Sequence, residues 1–254
     1  LDAASGVMAA LEEEGVGLLV SEETVIPIVP AAVLFDLNVG SSSVRPGVNW
    51  GYEAAQQAND SPITSGNVGA GMGATVGKLL GPARATKGGL GSARIDLDNG
   101  VIVAALVAVN AVGEIVDTLS NTVVAGIRAN DVGQYDSAID VALGNTAKVP
   151  VAGTNTTLGL IATNANLSKA QLKKVAEMAH DGMARAIRPI HTQFDGDTVF
   201  AVSMPWSEVE TTADAQLNSI GIAGAKALEF AIVDAVRAAK SVGDVVACCD
   251  WYID

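Results

Sequence analysis

A chain of 254 residues, 49% hydrophobic but only 4% aromatic, can bury a large core of Ala, Val and Gly with few bulky rings. Its formal net charge of −13 leaves no basic stripe to neutralise phosphates and no attraction to an anionic bilayer, so neither nucleic acid nor membrane is an expected partner. Two adjacent cysteines, Cys248 and Cys249, and two histidines, His180 and His191, give neither a disulfide framework nor metal-ligand spacing, and no apolar run reaches the ~18 residues of a membrane span. The thiols read as buried and reduced, which suits a cytoplasmic location, and no cofactor or metal is expected. The opening, Leu1-Asp2-Ala3-Ala4-Ser5, has no Met and is already helical in pattern, which points to a longer protein whose front is absent.

In chain order, residues 2–14 read as a helix with Val7, Met8 and Leu11 inward, and Gly15 is its stop. Residues 31–37, after Pro30, read as a buried strand. A short amphipathic piece, Tyr52 to Ala58, precedes a Gly-rich loop from Gly66 to Gly91. Val101 to Asn110 is an almost continuous apolar run with Val at alternate positions, which predicts a buried strand, and Glu114 to Val116 continues toward a partner. Residues 120–154 are polar and irregular and read as an exposed connection. Thr157 to Thr163 reads as a strand. Ser168-Lys-Ala-Gln171 is a capping box for a helix that runs to about Arg188 and is ended by Pro189. Thr198 to Ser203 is another strand, and Thr212 to Lys240 a long Ala-rich helical region with a break expected near Gly221–Gly224. The order is not a clean βαβ alternation; Ala/Val-rich strand sets covered by amphipathic helices suggest a layered α/β sandwich.

The most informative stretch is Gly153-Thr154-Asn155-Thr156-Thr157-Leu158-Gly159, a hydroxyl-rich turn that runs straight into a β-prone segment. A hydroxyl at the first residue of a strand can attack its own preceding carbonyl. Breaking the Asn155–Thr156 bond in that way would make Thr156 a new N-terminus. Its α-amino group, with a pKa of about 7.7–8.0, could serve as base for its own hydroxyl. The same residues also make an ordinary strand-entry turn.

Other motifs carry less on their own. Gly69-Ala-Gly71-Met-Gly73-Ala74 satisfies a dinucleotide-binding pattern but lacks the apolar strand that should precede it, and Gly77-Lys78 is followed by Leu79, which fails a phosphate-binding loop. The loop reads better as close backbone packing, with Lys78 either held at a cleft or solvated. In Phe194-Asp195-Gly196-Asp197 two carboxylates flank a glycine at the mouth of a strand; they can perturb each other's pKa and orient an amine, or form an Asx turn. Asn110, at the end of the Val-rich strand, can donate to an oxyanion or simply cap the strand.

Taken together, Leu1-Asp-Ala-Ala-Ser-Gly-Val-Met, Gly66 to Lys78, Lys87-Gly-Gly-Leu-Gly-Ser92, Val107-Ala-Val-Asn110, Asn155-Thr-Thr-Leu-Gly and His191-Thr-Gln-Phe-Asp-Gly-Asp197 occur in one order. This series resembles the DmpA-type aminopeptidase family, peptidase family S58, and within it the 6-aminohexanoate-oligomer (nylon-oligomer) hydrolase branch. The resemblance covers nearly the whole chain. It implies an α/β fold, a four-layer αββα sandwich of the N-terminal-nucleophile type, made as a precursor that cuts itself into residues 1–155 and 156–254 of one domain. It implies Thr156 as nucleophile, Asp195 and Asp197 as its acidic partners, Lys78 and Asn110 beside it, and autocleavage at Asn155–Thr156. Phe35, Asn67 and Gly71 would meet substrate, with Phe35 standing where the branch has Tyr. The implied substrate is a small linear amide or peptide, and the implied assembly a homotetramer of cleaved α/β pairs. Three rivals remain at this point: an aminopeptidase or amidase on short peptides, an acyltransferase of the ornithine acetyltransferase type, and a nucleotide-binding protein using Gly66–Gly77.

Overall fold

The structure is a computed structural model and describes residues 1–144, 155–205 and 213–252, with side chains of the last segment from residue 216. It divides into two compact units, residues 1–33 with 41–63, and residues 34–40 with 64–254. In the first unit, α1 (Asp2–Glu13) is followed by the antiparallel hairpin β1 (Leu18–Ser21) and β2 (Thr24–Ile26), then by α2 (Val48–Gln56). Glycines let the two helices touch backbone to backbone: a Cβ on Gly6 would lie 1.8 Å from the Val48 carbonyl oxygen, and one on Gly51 1.8 Å from that of Ala3. The Tyr52 hydroxyl donates to Glu13 across this pair, at 2.6 Å.

The second unit holds β3 (Thr75–Val76), β4 (Thr86–Lys87), β5 (Gly89–Asp96), β6 (Ile102–Asn110), β7 (Glu114–Asp117), β8 (Thr122–Ala125), β9 (Ile127–Arg128), β10 (Tyr135–Asp136) and α3 (Ala138–Leu143). It continues with β11 (Thr156–Thr163), α4 (Lys169–Ala186), β12 (Ile187–Arg188), β13 (Thr198–Ser203), α5 (Ala213–Arg237) and α6 (Cys248–Trp251). Its main sheet has the order β13-β11-β6-β5, antiparallel except for the parallel β11–β13 pair. A three-stranded sheet, β12-β7-β8, lies beside it in sequence.

Helices α4 and α5 pack on each other and on the main sheet. Side chains alternate across a strand, so the register assigns each residue to a face. Val103, Ala105, Val107 and Val109 of β6 and Ile161 of β11 belong to the core shared with both helices. Thr156 pairs with Asn110 and therefore lies on the opposite face. The helix α4 starts as its sequence predicts: Ser168 accepts from the Gln171 amide and Gln171 reaches back to Ser168. It buries Val175, Ala179, Gly182, Met183 and Ala186, one stripe at helical spacing.

The structure departs from the sequence expectations at four places. Residues 31–37 form no strand; the Phe35 carbonyl accepts from the Asn110 side-chain amide instead of a ladder partner. Helix α5 runs unbroken through Gly221 and Gly224. Those glycines admit neighbours: a Cβ on Gly221 would lie 2.4 Å from Met178 Sδ, and one on Gly224 3.4 Å from Ile161. Residues 120–144 are not irregular but carry β8, β9, β10 and α3, with Val124, Ala125, Ile127 and Ala138 buried; the rest of that expected connection, including Gly153 and Thr154, lies outside the described residues. Cys248 is buried against Val236, but Cys249, its neighbour on the short α6, is exposed.

The seam between α5 and the sheet is made of backbone. A Cβ on Gly91 would lie 2.1 Å from the Ala231 carbonyl oxygen, and one on Gly89 2.3 Å from that of Ala235. Neither strand nor helix can give way there without losing its own hydrogen bonds. Gly91→Ala should therefore cost about 2–3 kcal/mol, read as a fall in Tm of roughly 5–10 °C in a thermal melt; an unchanged Tm would mean the seam is looser than described.

Candidate active site

The site forms where β11 begins. Asn155 and Thr156 are almost fully buried, at 1% and 4% exposure. The Thr156 hydroxyl donates to the Asn155 carbonyl oxygen at 2.7 Å, so the hydroxyl rests on the carbonyl just before it. The same oxygen accepts the Gly196 N–H at 2.8 Å, where an isolated parallel bridge joins Asn155 to Asp195. This carbonyl oxygen accepts two donors, an amide and a hydroxyl, and both polarise it.

Asp195 and Asp197 flank that Gly196 donor. One Asp195 oxygen accepts from the Thr192 amide at 2.9 Å and from the Thr192 hydroxyl at 2.6 Å, so the Asx-type turn considered from sequence is present. The Val112 backbone amide also donates to this carboxyl and favours its charged form. Burial pushes the Asp195 carboxyl up, opposed by the Thr192 donors and reinforced by the nearby charge of Asp197. Asp197 uses both oxygens: Oδ1 accepts the Thr157 amide at 2.8 Å and Oδ2 meets His191 Nδ1 at 2.9 Å.

On the strand paired with β11, Asn110 faces Thr156. Its Oδ1 accepts from Lys78 Nζ at 2.8 Å and from the Thr75 amide at 3.0 Å, while its Nδ2 donates to the Phe35 carbonyl at 2.9 Å. Lys78 Nζ also donates to the Asn110 carbonyl at 3.0 Å. Burial lowers the Lys78 ammonium to about 7, against the pull of Asp195, Asp197 and Asp36. An amine that titrates near neutrality beside an acidic pair is a common property of catalytic sites.

Of the residues singled out from sequence, the structure gathers Asn155, Thr156, Asp195, Asp197, Asn110, Lys78 and the Phe35 backbone. It gives Asn67 and Gly71 other work. The Asn67 amide is engaged by Lys240, donating to its carbonyl at 2.8 Å and accepting its amide at 3.1 Å. The Gly71 carbonyl accepts from Lys87 Nζ at 2.7 Å. Lys87 is fully buried, donates also to Ala74 and Gly88, and is lowered by burial to about 8. Sequence reasoning passed over Lys87, Asp36, His180, His191 and the Gly196 N–H; Lys87 and His191 stood at the heads of quoted motifs, which was the one available signal. Among the described residues, no three His, Cys, Asp or Glu gather as a metal site, and no helix is long and apolar enough to cross a membrane.

The pattern of peptidase family S58 matches residues 1–246. A protein named as an uncharacterized aminopeptidase of Mycobacterium leprae is 39% identical over 279 residues, covering 99% of this chain and 72% of that protein. The 6-aminohexanoate-oligomer endohydrolase of Paenarthrobacter ureafaciens is 33% identical over 204 residues, 78% of this chain and 56% of its own length. Among solved structures, a Burkholderia beta-aminopeptidase superposes with a TM-score of 0.63 at 22% identity, over 95% of this chain and 65% of that one. The L-aminopeptidase D-Ala-esterase/amidase of Ochrobactrum anthropi, described as a variant of the Ntn-hydrolase fold, gives 0.57 at 18% identity, over 97% and 68%. These likenesses show the mixed α/β fold; the chain spans about two thirds of the length of those solved structures.

The Lys78 assignment has a measurable sign. Because the folded chain holds this ammonium at about 7 against 10.5 in the unfolded chain, the unfolded state binds more protons between those values. Stability from this group therefore rises with pH over that window. Against a Lys78→Met variant, the parent's Tm should gain at least ~2 °C between pH 7 and pH 10; parallel curves would contradict the buried ammonium.

Proposed function

Because this chain belongs to peptidase family S58, we propose that it is a self-processing amide hydrolase with Thr156 as its nucleophile. The observation that carries the reading is the Thr156 hydroxyl at 2.7 Å from the Asn155 carbonyl oxygen, which the Gly196 N–H holds at 2.8 Å. In the first step Thr156 Oγ1 adds to the Asn155 carbonyl carbon, and its proton passes to the Thr156 nitrogen as the Asn155–Thr156 C–N bond breaks. The Gly196 N–H stabilises the charge that develops on the oxygen, and an N→O shift transfers the acyl group from nitrogen to the hydroxyl oxygen. Water then hydrolyses the ester, freeing a carboxylate on Asn155 and an amine on Thr156.

The freed amine becomes the base for the Thr156 hydroxyl, the arrangement of a Thr N-terminal nucleophile. Asp195 and Asp197 orient it, and a charged Lys78 lowers its proton affinity by like-charge repulsion. Attack on a substrate amide gives an acyl-Thr156 intermediate; the proton passes through the amine to the leaving nitrogen, and water releases the acid. In the uncut chain Thr156 is buried, which supports a precursor inactive toward substrates. The same reading assigns residues 1–155 and 156–254 to two associated subunits of one four-layer αββα sandwich, assembled as a homotetramer in the cytoplasm.

The substrate class favoured is a linear amide such as a 6-aminohexanoate oligomer, supported by the 33% identity to an enzyme of that name. A second reading, an aminopeptidase on short peptides, is supported by the 39% identity to a relative so named. Assaying 6-aminohexanoate oligomers beside amino-acid p-nitroanilides separates them, since the ratio of the two rates ranks the substrates.

The decisive variant is Thr156→Ala. The parent should yield two fragments by intact mass, the second with Thr156 as its N-terminus, and hydrolyse amides; the variant should do neither. A variant that is still cut at that bond would sink the proposal. Gly196→Ala is a finer probe, since its Cβ would lie 2.9 Å from Thr156 Oγ1. Displacing the hydroxyl by part of an ångström should slow cleavage about 10²-fold while leaving the fold intact by circular dichroism.

A further inference from the structure

Two histidines stand behind the acidic pair, and the mechanism above does not use them. His180 lies on α4 and His191 in the turn before the Asp195–Asp197 segment. Their rings are 4.9 Å apart, with His180 Nδ1 3.2 Å from His191 Nε2. His191 Nδ1 is 2.9 Å from Asp197 Oδ2, and the Asp197 side chain is 2% exposed. Asp197 Oδ1 accepts the Thr157 amide at 2.8 Å. The four groups form one chain from the surface of α4 to the peptide unit that follows the nucleophile.

We propose that His191 is a positioning residue for the Asn155–Thr156 junction, holding Asp197 on the Thr157 amide, with His180 fixing the His191 tautomer. The inference rests on the self-cleavage reading of that junction. Its logic is the inventory of donors. A neutral imidazole has one N–H and one bare nitrogen. For His191 to donate from Nδ1 to Asp197, its Nε2 must accept, and His180 Nδ1–H is the donor within reach. The His–His contact therefore selects the tautomer in which the proton points at the carboxylate. Burial first, and then the neighbouring His191, lower the His180 pKa, against the opposing charges of Asp197 and Asp181.

The consequence for Thr156 is geometric. A carboxylate held at one oxygen only can swing about its Cβ–Cγ bond. Held at both, Asp197 fixes the Thr157 amide, and with it the plane of the Thr156–Thr157 peptide unit. That plane sets where the Thr156 side chain leaves the strand, hence how its hydroxyl meets the Asn155 carbonyl. His191 itself sits at φ +56°, a left-handed conformation that a non-glycine residue adopts at a cost. That backbone brings its ring back over the turn to Asp197.

The test uses substitutions that tolerate this backbone. His191→Gly removes the ring and takes φ +56° without strain. His191→Asn also tolerates it, and its Nδ2 lies as many bonds from the backbone as the imidazole Nδ1. We expect His191→Gly to slow cleavage at Asn155–Thr156 by about 10- to 100-fold and His191→Asn to recover to within about threefold of the parent. His180→Phe should fall between them. Imidazole nitrogen NMR of the uncut Thr156→Ala chain should show His191 as the Nδ1–H tautomer, converted or averaged in His180→Phe. Cleavage of His191→Gly at the parent rate would overturn the proposal, as would a His191→Asn variant no faster than Gly with both folded by circular dichroism. An Nε2–H tautomer for His191 would do so too. A parent that never cuts removes the self-cleavage reading itself, and the NMR result alone then decides whether the histidines hold Asp197.

Discussion

The unbroken antiparallel register between Ile102–Asn110 and Thr156–Thr163 is the constraint on which the site depends. Eight consecutive pairs fix which face each side chain takes. A slip of one residue would turn Thr156 toward α4 and α5 and carry Asn110 with it or away from it. The register is held from the helix side, where Val103, Ala105, Val107, Val109 and Ile161 are buried under the two helices. Burying these groups is worth on the order of 1.5–3 kcal/mol for each large side chain. The apolar face thus stabilises the polar one: packing chosen for the core decides which hydroxyl meets which carbonyl.

The polar face concentrates charge that burial makes costly. Asp195 is pushed up, Lys78 pushed down to about 7, and Lys87 to about 8. Each remedy is local. Thr192 supplies two donors to Asp195, and Asn110 offers Lys78 two oxygens.

Much of this was legible in the sequence where the signal is local. Alternating Val through 101–110, the Ser168–Gln171 box and the Thr198–Ser203 run each contain their own explanation, and the strands and helix appear as read. Residues 31–37 misled because an apolar run says nothing of whether a neighbouring strand exists to pair with it. Gly221 and Gly224 misled for the opposite reason: glycine is disfavoured in a helix interior, but the two sit where α5 lies against Met178 and Ile161 and the helix runs on through them. The Asn155–Thr156 and Asp195–Asp197 segments could be found because their chemistry is contiguous in the chain. Asn67 could not be separated from them by motif alone, since only the fold ties its amide to Lys240. The His180–His191 pair is the clearest case. One residue lies on a helix and the other in a turn, and no periodicity links them.

Lys87 gives the Gly-rich loop an unusual foundation. Its ammonium is enclosed by the carbonyl oxygens of Gly71, Ala74 and Gly88, which converge as the oxygen shell of a bound cation does. Here the cation is tethered to the chain by four methylenes. It cannot be stripped by a chelator or exchanged for a competing ion; only deprotonation, at a pH above about 8, removes its charge.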